Sequence, residues 1–335
     1  MSSIVLQDIS KSYGGVTAVR NLSLQIAEGQ FVTLLGPSGC GKTTTLRVIA
    51  GLEEPDSGEV RIGERLLFSR AKGVFIPPEK RGLGLIFQSY ALWPHMTVRR
   101  NIASGLEQQR LPKNTVEQRV AVARMVAAEP EIFLMDEPLS NLDAMLRIDM
   151  RAQLKRLHHE LEATTVYVTH DQVEALTLSD LIAVMDSGVI RQIGTPEEIY
   201  KRPGDLFVAR FVGSPRINTI TGRIVSKDGG TLFAAGQLSI PVQPDRSFPR
   251  EEIVAAVRPE DIEVSPKFAE GWLECRAYSI LPVGSETIIT VQSSDLSLSV
   301  KVNGFSEIQM DDPVWVRLNE SAVNYYDGKR EQRIP

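Results

Sequence analysis

A chain of 335 residues is long enough for about two domains, taking ~150 residues as an ordinary size. Apolar residues make up 42% and charged residues 24%, a balance that supports sizeable cores and excludes wholesale disorder. Lys and Arg total 37 against 42 Asp and Glu, a net charge of −5, so nucleic-acid binding through bulk positive charge is excluded. A local basic cleft for a small phosphorylated ligand stays open.

The first residues, Met-Ser-Ser-Ile-Val-Leu, carry no basic stretch followed by a long apolar run, so no signal peptide is expected. Phe31-Val-Thr-Leu-Leu35 reads as a buried strand ended by Gly36. Thr43 to Ala50 follows as a helix, with Gly51 as its stop. Glu131 to Met135 is a second strand, and Ala144 to Leu161 has helical periodicity through Met145, Ile148, Leu154, Leu157 and Leu161. Thr165 to Thr169 and Leu181 to Met185 are further strands, separated by helical Val173 to Leu178. Strands alternating with helices predict a mostly parallel sheet with helices on both faces. The apolar runs are strand-length, well short of the ~20 residues of a membrane-spanning helix.

Near Gly213-Ser-Pro-Arg216 the pattern changes to short alternating runs broken by Gly, Pro, Asp and Ser. Ile253 to Arg258, Ser285 to Val291, Leu298 to Val302 and Val314 to Leu318 predict a small all-β barrel. The two cysteines, Cys40 and Cys275, form no disulfide framework and suit a reducing compartment.

Gly36, Pro37, Ser38, Gly39, Cys40, Gly41, Lys42 and Thr43 match G-x-x-x-x-G-K-[S/T] between a strand and a helix. Glycines let successive amides turn inward around a polyphosphate. Lys42 can reach its outer phosphates, the Thr43 hydroxyl suits Mg²⁺, and the helix start faces the same anion. Asp136 and Glu137 end a buried strand; Asp136 suits a Mg²⁺ site and Glu137 can polarise an attacking water. Such a pair can also merely cap the next helix, and the phosphate loop tips the reading to catalysis. His170 follows the Thr165 strand, at the sheet edge where ligands gather. Gln88, after Leu83-Gly-Leu-Ile-Phe87, can reach a metal or water through its amide, and Tyr13 is a stacking platform for a base or a packed surface aromatic.

Together these residues resemble the nucleotide-binding subunit of an ABC transporter, over nearly the whole chain. Tyr13 matches the A-loop, 36–43 Walker A, Gln88 the Q-loop, and Ile132 to Asp136 Walker B with Glu137 as catalytic glutamate. Ser140-Asn-Leu-Asp143 matches the D-loop and His170 the switch histidine; Thr44 and Asp143 join the nucleotide contacts by the same resemblance. Phe211-Val-Gly-Ser-Pro215 and Val257-Arg-Pro-Glu-Asp-Ile262 resemble the regulatory β-domain of maltose-type importer ATPases. The implied architecture is an α/β phosphate-loop NTPase domain over 1–213 and an OB-like, all-β regulatory domain over 214–335. The implied function is a homodimeric, Mg²⁺- and ATP-dependent motor on the cytoplasmic face of a bacterial membrane. It would work with two permease subunits and an external solute-binding protein.

One family element is missing. The signature Leu-Ser-Gly-Gly-Gln is absent, although the helix that follows it in relatives resembles Glu117-Gln-Arg-Val-Ala-Val-Ala-Arg124. In the family the signature closes the nucleotide site from the opposite subunit with backbone donors and a helix start. Two explanations stay open. The polypeptide lacks the segment, or residues flanking it are not covalent neighbours. The second predicts a backbone break between about Leu106 and Glu117, where linked α-carbons otherwise lie about 3.80 Å apart.

Overall fold

The computed structural model describes residues 2–87, 130–140, 142–227, 230–242, 248, 252–294 and 296–335. Gln88, Asn141, the Glu117 helix and the Leu106–Glu117 stretch lie outside the described residues. The chain divides into two compact units, Met1–Pro196 and Glu197–Pro335.

In the first unit, the strands are β1 (Ile4–Tyr13), β2 (Val16–Ile26), β3 (Phe31–Leu35), β4 (Ser57–Ile62), β5 (Arg65–Ser69), β6 (Val74–Phe75), β7 (Gly84–Ile86), β8 (Ile132–Asp136), β9 (Thr164–Thr169), β10 (Leu181–Asp186) and β11 (Val189–Gly194). The helices are α1 (Lys42–Ala50), α2 (Ala144–Leu161) and α3 (Gln172–Leu178). One sheet has the order β11-β10-β3-β9-β8-β7 and is parallel except for the β10–β11 hairpin. Its helix-linked strands match the expected parallel sheet within a residue or so at each end.

Alternation along these strands explains the helices on both faces. Val32, Leu34, Leu134, Val166 and Val168 point to one side and pack with Leu46, Val48 and Ile49 of α1. Phe31, Phe133, Met135 and Tyr167 point to the other and pack with Leu154 of α2 and Leu178 of α3. The periodic residues Met145 and Ile148 at the start of α2 are instead exposed, at 74% and 55%. Only the later turns of that helix reach the core.

A second, antiparallel sheet of order β2-β1-β4-β5-β6 was not foreseen from the sequence. Its strands carry charges and irregular register, so their alternation is broken: β1 slips against β2 between Leu6 and Ile9 and again beyond. Ile4, Leu6, Ile9 and Val60 nevertheless join the same core as α1.

The second unit opens with two short helices, α4 (Pro196–Lys201), which starts at the division, and α5 (Leu206–Phe211). Eleven strands follow: β12 (Asn218–Lys227), β13 (Gly230–Ala235), β14 (Leu238–Val242), β15 (Ile253–Val257), β16 (Ile262–Ser265), β17 (Leu273–Pro282), β18 (Glu286–Ser293), β19 (Leu296–Asn303), β20 (Pro313–Leu318), β21 (Asn324–Asp327) and β22 (Arg333–Ile334). They form two antiparallel sheets, β14-β13-β12-β15-β21-β22 and β16-β20-β17-β18-β19. One core of Phe233, Ile240, Val257, Ala277, Ile289, Val300, Val316 and Tyr325 lies between them. Buried Asn218 bridges the sheets, accepting from Ser299 N at 2.7 Å and donating to Ser299 O at 2.8 Å. This is the barrel-like, OB-like all-β domain expected. Gly213 lies after α5, inside this unit.

Arg258 ties the two short helices to the barrel. Its guanidinium donates to the carbonyls of Val212 and Tyr200, the latter at 2.8 Å, and lies 4.2 Å from the Tyr200 ring. Burial holds its pKa below the ordinary arginine value. A Cβ at Gly213 would stand 2.5 Å from that guanidinium, and Gly213 has φ +115°. The Gly-Ser-Pro and Val-Arg-Pro strings thus serve one local joint.

Candidate active site

The loops after β3, β8 and β9 meet at the carboxyl edge of the parallel sheet, where strand ends leave a crevice for ligands. The 36–43 loop links β3 to α1. Gly39 and Gly41 adopt φ +80° and +102°. A Cβ at Gly41 would stand 2.4 Å from the Ala18 carbonyl oxygen, and one at Gly36 would stand 2.3 Å from that of Met185. Glycine is therefore required at both points for the loop to fold this tightly. No side chain caps the start of α1, so its first-turn amides are left for the loop and an anion. Lys42 is buried at 5% exposure, and its ammonium donates to the carbonyls of Gly36 at 2.8 Å and Pro37 at 2.9 Å.

The opposite end of α1 is held by Arg81. Its guanidinium donates to Val48 O at 2.9 Å, Ile49 O at 2.7 Å and Ile76 O at 2.7 Å. A cation at a helix C-terminus satisfies open carbonyls and complements the dipole. Burial pushes the Arg81 pKa down to about 10.

The Thr43 hydroxyl donates to Asp136 Oδ1 at 2.9 Å, joining the phosphate loop to the end of β8. Burial raises the Asp136 carboxyl above its usual range, and the Thr43 hydrogen bond works against that rise. Hydroxyl and carboxylate oxygens beside a phosphate loop are hard donors of the kind Mg²⁺ uses, alongside substrate phosphates and water. The residues present therefore fit Mg²⁺. Among the described residues no group of three or more His, Cys, Asp or Glu is arranged to hold a metal by itself.

Glu137 follows Asp136 with φ +45°, a left-handed conformation that a side chain with a Cβ rarely adopts. Its amide donates to Val168 O at 2.9 Å, which pins it to β9. The carboxylate lies 3.2 Å from His170 Nδ1, so the two groups named from distant parts of the sequence are direct neighbours. His170 is the more exposed partner, at 58% against 18% for the glutamate side chain.

Tyr13 ends β1, is 44% exposed, and lies against Thr44 and Glu53. Its phenol is raised above the usual value chiefly by burial. Asp143 N-caps α2, accepting from Leu146 N at 2.9 Å. Sequence reasoning missed three further groups that brace this edge. Glu174, 3% exposed, accepts from Tyr167 at 2.9 Å and Thr169 at 2.6 Å. Arg147 and Asp171 stand 3.7 Å apart between the turn after β8 and the turn after β9. Charged residues in helical turns read as solvated faces, and no spacing marks their partners.

A phosphate loop and an acidic strand end on one parallel sheet define a phosphate-loop NTPase. The ABC transporter family model matches residues 19–117, and a TOBE domain model matches residues 255–323. The trehalose/maltose import ATP-binding protein of Thermococcus litoralis is 45% identical over 297 residues, covering 78% of this chain and 79% of that protein. The sn-glycerol-3-phosphate import ATP-binding protein of Brucella abortus is 40% identical over 368 residues, covering 98% of this chain and 99% of that protein. The structure of cbiO1 from Clostridium perfringens, 23% identical, matches 58% of this chain and 89% of its own with a TM-score of 0.52, a likeness of fold.

The chain belongs to the ABC transporter family. It is an ATP-binding subunit of the import branch, an ATPase with a C-terminal TOBE domain. The alignment with the Brucella protein spans 368 positions, so at least 33 of them (368 − 335) have no residue in this chain. Both proteins are matched almost end to end, which makes those gaps internal.

Proposed function

We propose that this chain hydrolyses Mg·ATP with Glu137 as general base and His170 as its partner, and that the cycle drives solute import through separate permease subunits. The observation that carries this reading is the 3.2 Å approach of His170 to Glu137, next to the Thr43–Asp136 contact. The backbone N–H groups of the 36–43 loop, Pro37 excepted, and the Lys42 ammonium bind the phosphate tail, with Thr44 beside them, and Tyr13 stacks on the base. Glu137 takes the proton of the attacking water as the bond from the γ-phosphorus to the β,γ-bridging oxygen breaks. His170 holds the glutamate and the γ-phosphate in register. Thr43, Asp136 and Gln88, the last outside the described residues, would hold Mg²⁺, whose charge offsets the negative charge that builds on the phosphoryl oxygens. Asp143 contributes from the start of α2.

The division of labour puts catalysis in residues 1–213 and regulation in 214–335. Two copies close around nucleotide, on the cytoplasmic face of the membrane, with two permeases and an external receptor as partners. Among the described residues no helix is long and apolar enough to cross a membrane. The named import proteins above handle trehalose/maltose and sn-glycerol-3-phosphate, which supports a small polyhydroxylated solute as cargo.

The test is steady-state phosphate release by the purified chain with its permease. Glu137→Gln is expected to cut turnover by at least about 10²-fold while nucleotide binding is kept. Unchanged turnover overturns the role of Glu137. A second reading, an ATP-binding module with little turnover, is favoured by the missing signature string and the internal gaps. Tight ATP binding without phosphate release by the parent, permease present, would establish it.

A further inference from the structure

The two turns that carry Glu137 and His170 are joined by more than the contact between those side chains. On the first turn, the Glu137 carbonyl accepts from Ser140 N at 3.2 Å and from Ser140 Oγ at 2.9 Å. Two residues further, the Leu142 carbonyl accepts from Arg147 Nη2 at 2.9 Å. Arg147 sits one turn into α2, with its own amide on Asp143 O at 2.9 Å. Its other terminal nitrogen, Nη1, faces Asp171 Oδ2 at 3.7 Å. Asp171 follows His170, and His170 returns to Glu137. Contacts thus join Glu137 to Ser140, Leu142 to Arg147, Arg147 to Asp171 and His170 to Glu137, while Ser140 and Leu142, and Asp171 and His170, are connected along the chain.

The second turn is firmly anchored. Asp171 Oδ1 caps α3 by accepting from Val173 N at 2.8 Å and Glu174 N at 3.2 Å. Asp171 N donates to Thr169 Oγ1 at 3.0 Å, and that hydroxyl donates to buried Glu174. One carboxylate thus does two jobs with two oxygens: Oδ1 caps the helix and Oδ2 meets the arginine. A guanidinium suits the strut position, because its planar fork can serve a carbonyl and a carboxylate at once.

We infer that Arg147 is a positioning residue: its guanidinium spans the turn after β8 and the turn after β9, and so sets the distance of His170 from Glu137. A shift of the Leu142 carbonyl is then passed to the turn that carries His170 through the Arg147 side chain. The inference rests on the proposed roles of Glu137 and His170. Small displacements of reacting groups are costly, with about 1 Å worth up to about 10²-fold in rate.

The test uses the full chain in four forms: parent, Glu137→Gln, Arg147→Met and the double variant. The ring ¹⁵N resonances of His170 report its contact with Glu137 and need no turnover. Glu137→Gln is expected to move them in the parent background and to leave them in place in the Arg147→Met background. Equal movement in both backgrounds overturns the inference; no movement in the parent overturns the catalytic pair itself. Turnover gives a second readout. Arg147→Met is expected to lower kcat by about tenfold or more with ATP affinity kept within about twofold, since the phosphate loop is untouched. Asp171→Asn keeps the cap through Oδ1 and loses the pair, so it serves if Arg147→Met folds poorly. The two substitutions combined are expected to cost no more than one alone, as members of one linkage do. Multiplying effects, or a fall in melting temperature with kcat unchanged, would mean that Arg147 only stabilises the fold.

Discussion

Glu137 and Gly41 solve opposite problems of backbone geometry. Glu137 is held at φ +45° against its own preference, with its amide locked to Val168 O. Strain of this kind costs about 1–3 kcal/mol and persists only where the surroundings enforce it. Here it aims a carboxylate at His170. Gly41 reaches φ +102° with no such cost, and the 2.4 Å approach of any Cβ to Ala18 O leaves room for nothing else. Gly41→Ala is expected to destabilise the first unit by about 3 kcal/mol, combining strain and overpacking. Calorimetry should find Mg·ATP binding lost with it, and thermal melting a midpoint lower by several degrees. The phosphate-loop motif and the acidic pair were legible from sequence because each is a short string of fixed residue types. The strain at Glu137 was not, since φ depends on what strand β9 offers to the amide.

At the scale of elements, the parallel strands were legible because both of their faces are buried. Phe31-Val-Thr-Leu-Leu35 is apolar nearly throughout, as a strand covered by α1 on one side and α3 on the other must be. The antiparallel sheet was missed because its strands mix buried residues with charged clusters. On β4, Glu59 accepts from Ser69 at 2.9 Å and meets Lys72 at 3.0 Å and Arg61 at 3.1 Å. These partners, Lys72 foremost, pull the Glu59 carboxyl from 4.5 down to about 2. A depressed carboxylate adds stability that is complete above its unfolded value and fades as pH falls through the folded one. Glu59→Gln is therefore expected to lower the melting midpoint at pH 6 and to make progressively less difference from pH 4.5 towards 2. A midpoint difference that stays constant over that range would show that the cluster adds no pH-dependent stability.

At the scale of the whole molecule, the second unit has a core of its own and two helices bound to it. Leu206 and Ala209 of α5 pack with Val254, Ala256 and Tyr326 of the barrel, and Arg258 holds the carbonyls of Tyr200 and Val212. A fragment of residues 197–335 is expected to melt cooperatively with a β-rich circular dichroism spectrum. One of residues 214–335 leaves buried Arg258 without those carbonyls and is expected to lose at least about 2 kcal/mol, read from denaturant midpoints. Equal stability of the two fragments would show that the helices are mere linker. The amino-acid order alone determined where the phosphate-loop motif and the acidic pair fall and where the strand–helix alternation gives way to short β runs, because these are local patterns of residue type and period. Only the tertiary structure decided that His170 meets Glu137, that Arg81 closes α1, and that Arg147 spans two turns. Those contacts join residues brought together by the strand order β3-β9-β8 and by helices laid across it, and a charged side chain carries no local mark of the partner it will find.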